Sequence, residues 1–109
     1  MIDELVAEHV LGWEKREGRW AFQNNDGTWT TETPLRRFSH DMNAAWMVVD
    51  RVCEKGFRLQ LEGSKIWKAR FYKSVSHTLE TLAFAETAKQ PAMAICVAAL
   101  ASKGVSFKG

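Results

Sequence analysis

Between residues 38 and 56, apolar side chains recur at Met42, Ala45, Trp46, Val49, Val52 and Cys53, the spacing of one helical face. Ser39 stands where a hydroxyl can accept from the first free backbone N–H groups, and Gly56 where a left-handed residue closes the last turn. Phe38, just before that cap, is placed to fold back on the first turn as a hydrophobic staple. The pattern predicts a central helix that the rest of the chain serves.

An earlier stripe, Ile2, Leu5, Val6, His9, Val10 and Trp13, predicts a first helix ending at Gly12, with Asp3, Glu4 and Glu8 opposite. His9 on that stripe reads as a hydrogen-bonded residue at the core edge, not a ligand. Trp20–Phe22 and Trp29–Thr31 read as strands around an Asn24–Gly27 turn, and Pro34 ends the extended run. After Gly56 the period drops to two. Phe57, Leu59 and Leu61, then Trp67, Ala69 and Phe71, alternate with polar residues about a reversal at Gly63-Ser64. A third strand is expected within 77–86. Pro91 opens a last helix, apolar on nearly every side and so packed on more than one face, which Gly104 ends.

The predicted order is helix, short hairpin, helix, three strands, helix. Strands segregated from helices imply an α+β domain with an antiparallel sheet and three helices. One domain is expected over residues 1–104, with a frayed tail at 105–109.

Composition adds two points. Five tryptophans in 109 residues imply either a core of large rings or a recognition surface. Trp46 and Trp67 fall inside core patterns; Trp13, Trp20 and Trp29 do not, and are the better functional candidates. The net charge of +2, from 15 Lys and Arg against 13 Asp and Glu, is too mild for a duplex nucleic-acid footprint. No apolar run is long enough for a membrane span and no signal-peptide order opens the chain, so no membrane partner is expected. Cys53 and Cys96 read as buried reduced thiols, hence a cytoplasmic protein; a disulfide between two core helices is the lesser alternative.

Several segments resemble one known family. Leu5-Val-Ala-Glu-His-Val-Leu-Gly-Trp13 is similar to the opening helix of the phage ABA sandwich domain family. Phe38-Ser39 with Ala44-Ala45-Trp46-Met-Val-Val49 resembles its central helix, Trp67-Lys-Ala-Arg-Phe71 its following strand, and Pro91-Ala-Met-Ala-Ile-Cys-Val-Ala-Ala-Leu100 its closing helix. The entry to the central helix is shorter here than the family's, and the segment before Pro91 carries two extra residues. The resemblance covers roughly 2–103 and implies a layered α/β/α sandwich of bacteriophage or prophage origin. It carries over no catalytic or binding residue.

For catalysis the residues offer little. Neighbours such as His40 and Asp41 point different ways from a helix's first turn, Ser39 is explained by capping, and three scattered histidines give no metal spacing. No Gly-rich phosphate loop and no cofactor motif is present. A non-enzymatic protein is expected. Binding chemistry is better represented. With Leu59, Leu61, Ala69 and Phe71 turned inward, Arg58, Gln60, Lys68, Arg70 and Tyr72 form one outward patch. Arg36 and Arg37, flanked by Trp29 and Phe38, are a second place for an anion. The plain alternative is a solvated strand face and two solvent-facing arginines. The expected site residues are therefore Arg36, Arg37, Trp29, Arg58, Lys68, Arg70 and Tyr72. The expected function is a phage accessory protein, in an anti-defence role, that sequesters an anionic nucleotide-like small molecule in the host cytoplasm. The alternatives are a module that modulates a host protein and a structural phage component without ligand. Surplus aromatics and alternating strand edges also point to a homo-oligomer.

Overall fold

The computed structural model describes residues 1–32, 34–74 and 81–107. Among them three helices and two antiparallel three-stranded sheets form an α+β sandwich, as the sequence predicts. Helix α1 starts as an α-helical turn, Ile2–Leu5, and continues as a π-helical stretch, Val6–Val10. The first sheet holds β1 (Glu14–Arg16), β2 (Arg19–Gln23) and β3 (Trp29–Glu32); α2 (Met42–Cys53) follows. The second sheet runs β4 (Arg58–Gly63), β5 (Trp67–Ser74) and β6 (Thr81–Ala88), and α3 (Pro91–Ser102) closes the chain. The expected third strand is thus present from Thr81, while the 77–80 part of that reading lies outside the described residues.

Helix α3 is the centre of the packing. Ala94, Ile95, Cys96, Ala98, Ala99 and Leu100 are all fully buried, because α3 meets β5 and β6 on one side and α1 and α2 on the other. Its alanines let neighbouring elements approach closely, and Pro91 sits in its first turn. The first sheet joins this core through Trp20 and Phe22. Phe22 stacks on Trp13 with ring centroids 4.8 Å apart, and Phe38 meets the same indole edge-on at 5.6 Å.

Several local expectations are corrected. The cap of α2 is Asp41, whose carboxylate accepts from the Asn43 amide at 2.9 Å. Ser39 lies two residues earlier, fully buried, its amide donating to Asp3 Oδ1 at 2.9 Å. Phe38 therefore stands three residues before the cap, not next to it as a staple requires, and packs edge-on against Trp13. The buried row of α2 is Ala44, Ala45, Val48, Val49 and Val52, so Trp46 turns outward and is 47% exposed. Two apolar rows compete on this helix, and the row of smaller side chains is the one that fits against α3.

In α1 the π-helical stretch widens the turn, with the Leu11 amide bonded back to Val6 O at 3.1 Å. The inward face therefore shifts to Ala7, Val10 and Leu11, and His9 is exposed, 3.8 Å from Glu8. Strand β1 is not expected from the pattern, since Glu14-Lys-Arg16 has no apolar alternation. It is held by a two-residue turn in which Glu17 and Gly18 both take positive φ, 51° and 77°. Of the tail expected at 105–109, Val105 and Phe107 pack half-buried against the core, the Val105 amide donates to Leu100 O at 3.0 Å, and 108–109 lie outside the described residues.

Candidate functional site

The register of the second sheet decides what its two faces carry. Arg58 pairs with Tyr72, Gln60 with Arg70 and Glu62 with Lys68 across β4 and β5; Tyr72 and Arg70 then pair with Ala83 and Ala85 of β6. Paired residues share a face in an antiparallel sheet. Ala69 and Phe71 point the other way and are fully buried under the helices. The face bearing Arg58, Gln60, Lys68, Ala83 and Ala85 is exposed, with Arg70 and Tyr72 half-exposed.

Four of the seven expected site residues therefore meet on one open face: Arg58, Lys68, Arg70 and Tyr72. The Arg70 guanidinium lies 4.8 Å from the Tyr72 ring centroid, and its Nη1 donates to Gln60 Oε1 at 3.4 Å. Lys68 faces Glu62 across the strands, which offsets its charge. The small side chains of Ala83 and Ala85 keep the surface beside Tyr72 and Arg70 low and flat.

The other three residues lie elsewhere. Trp29 belongs to the first sheet, 40% exposed, with the Arg16 guanidinium over its ring at 3.8 Å. That cation already occupies one face of the indole. Arg36 and Arg37 precede α2. Arg36 Nη1 donates to Met47 Sδ at 2.9 Å, and the Arg37 carbonyl accepts from the His40 and Asp41 amides at 3.0 and 2.9 Å. Arg37 also borders a cleft of about 330 Å³ with Trp20, Leu35, Ser39 and His40.

That cleft brings Asp3, Ser39 and His40 together, a combination with the residue types of a hydrolytic triad. The geometry is not that of one. Ser39 Oγ is 2.9 Å from His40 Nδ1, but Asp3 accepts from the Ser39 amide and does not orient the imidazole. Ser39 is also fully buried, out of reach of a substrate. Both thiols are free. Burial pushes the Cys96 thiol up to about 12 and, with Asp50, raises that of Cys53, so neither carries thiolate character at neutral pH. Among the described residues no group of His, Cys, Asp and Glu is arranged to hold a metal ion, and no helix is long and apolar enough to cross a membrane.

Sequence reasoning missed another concave feature. A cleft of about 270 Å³ opens where α2 and α3 end above the second sheet, lined by Arg51, Lys55, Phe57, Lys73, Phe84 and Lys103 among others. These residues are scattered through the chain, and only the spacing of cations at two helix ends hinted at them.

Comparison with known proteins places this geometry in context. The family model described as the phage ABA sandwich domain matches residues 4–100. A phage protein from Bacillus cereus ATCC 14579, solved by crystallography, is similar in fold with a TM-score of 0.65. The match covers 98% of this chain and 88% of that one at 18% identity. No curated protein sequence matches the chain.

Proposed function

Because the chain belongs to the phage ABA sandwich domain family, we propose that it is a non-catalytic phage accessory protein that binds and sequesters an anionic, nucleotide-like small molecule in the host cytoplasm. The observation that carries this reading is the cross-strand grouping of Arg58, Arg70 and Tyr72 on an open sheet face. Guanidinium groups fork onto phosphate oxygens, and a tyrosine ring offers a π-face to a base. Ala83 and Ala85 leave room beside the ring for a second planar group.

Magnitudes bear on the assembly. Two charge-assisted hydrogen bonds and one stacked base contribute together roughly 4–9 kcal/mol before the cost of association. A flat face also cannot bury most of a ligand, as a tight small-molecule site does. Sequestration by this face therefore calls for a second copy of the chain to close over it, which ties the ligand to a homo-oligomer. The flatness also favours a second reading, in which the face docks on an acidic patch of a host protein.

Thermal unfolding in the presence of cyclic and linear nucleotides tests the first reading. A ligand at a hundredfold excess over its Kd should raise the melting temperature by roughly 10 °C. The shift should vanish in Arg70→Glu. No shift with any nucleotide at millimolar concentration, with the chain folded, moves the weight to a protein partner.

A further inference from the structure

We propose that the cleft at the C-terminal ends of α2 and α3 is a second ligand site, for a small molecule with one acidic head on a compact aromatic or branched aliphatic body. It is independent of the sheet-face reading, since Lys73, Leu82 and Phe84 lie on the helix-covered face of the sheet, opposite Arg58 and Tyr72. Its floor is apolar. Phe57 and Phe84 meet with ring centroids 6.0 Å apart, and Leu82 beside them is 40% exposed, a large apolar side chain left uncovered at the mouth.

Its rim is cationic. Lys73 Nζ lies 4.6 Å from the Phe57 ring centroid and donates to Lys55 O at 3.3 Å, which leaves two of its N–H groups for a ligand. Arg51, Lys55 and Lys103 complete the rim, and among the described residues no acidic side chain lines the cleft.

The ordinary explanation for basic residues here is that they neutralise helix C-termini. The charges exceed that need. Two helix ends supply about −0.5 each, and Glu54, 3.5 Å from Arg51 Nη1, supplies one more negative charge. Against the four cations of the rim, that leaves an excess of about +2 over an apolar floor. Arg51 Nη2 is engaged with Leu11 O at 2.7 Å, so it fixes the rim while Lys55, Lys73 and Lys103 are left to meet the anion. An anionic head satisfies the excess charge, and a ring satisfies Phe57, Phe84 and Leu82. The volume of about 270 Å³ lies at the low end for small-molecule sites, which admits a single ring system and excludes a dinucleotide.

Phenyl phosphate is a suitable probe, with benzyl alcohol as the body alone and inorganic phosphate as the head alone. Titration of the full chain followed by NMR should show saturable shifts centred on Phe57, Leu82, Phe84 and Lys103. Phenyl phosphate should bind at least tenfold more tightly than either half. Lys55→Glu and Lys103→Glu, both at exposed positions, should each weaken binding roughly tenfold and lower the melting temperature by a few degrees at most. Arg70→Glu should leave binding at this cleft as it is. Equal binding of the halves, shifts centred on Arg58 and Tyr72, or no saturation at millimolar probe would each overturn the proposal.

Discussion

Asp3 is an acid near the start of a helix, and the helix dipole alone would account for its presence in the sequence. In the fold it is 7% exposed and its Oδ1 accepts the amide of the fully buried Ser39, tying α1 to the segment that enters α2. Asp3→Ala leaves that buried N–H without a partner and should cost about 1–3 kcal/mol in urea unfolding. Asp3→Asn keeps an acceptor oxygen and should cost less. Local sequence patterns could not reveal this bond, because it joins residues 36 positions apart. Cys96 differs, as its burial is legible from the apolar run around it. Its thiol is raised from an ordinary 9.0 to about 12, chiefly by burial. An unfolded thiol ionises near 9, so above that pH unfolding releases a proton that the native state retains. Stability should therefore be unaffected by this group below pH 9 and should fall as pH rises from 9 towards 12. Removal of the thiol by a Cys96→Ala change should flatten that part of the pH–stability curve.

At the scale of elements, periodicity located the helices and strands better than it oriented them. Helix α2 carries two apolar rows, and only packing against α3 selects the row of Ala45, Val48 and Val52 over that of Trp46. The same ambiguity misplaced the cap, because Ser39 and Asp41 are both capping residues and two positions apart. Asp41→Ala should cost about 1 kcal/mol and speed hydrogen exchange at the Asn43 amide, whereas Ser39→Ala should leave that amide protected. The reversal at Gly63 was readable, but its reason was not. Gly63 pairs with Trp67, and a Cβ there would collide with the indole ring. Gly63→Ala should destabilise the hairpin by about 1–3 kcal/mol, measurable by denaturant unfolding. Strand β1 escaped the pattern because all three of its residues are charged and exposed, so only the Glu17-Gly18 turn marks it.

For the whole molecule, the α+β sandwich follows from the order of elements, and the family match over residues 4–100 agrees with it. The open face of the second sheet was legible because a period of two fixes which residues share a side. Its distance from Trp29 and Arg36-Arg37 was not, since sequence neighbours say little about which sheet or helix end lies nearby. The proposed role makes that face the working surface and requires that a small anion travel with the protein. Native mass spectrometry of the chain isolated gently from host cells tests this most directly, with an Arg58→Glu, Arg70→Glu double variant alongside. The account predicts an oligomer carrying a low-mass, phosphate-bearing adduct that the double variant lacks. A bare mass for both proteins, or an adduct retained in the variant, would contradict it.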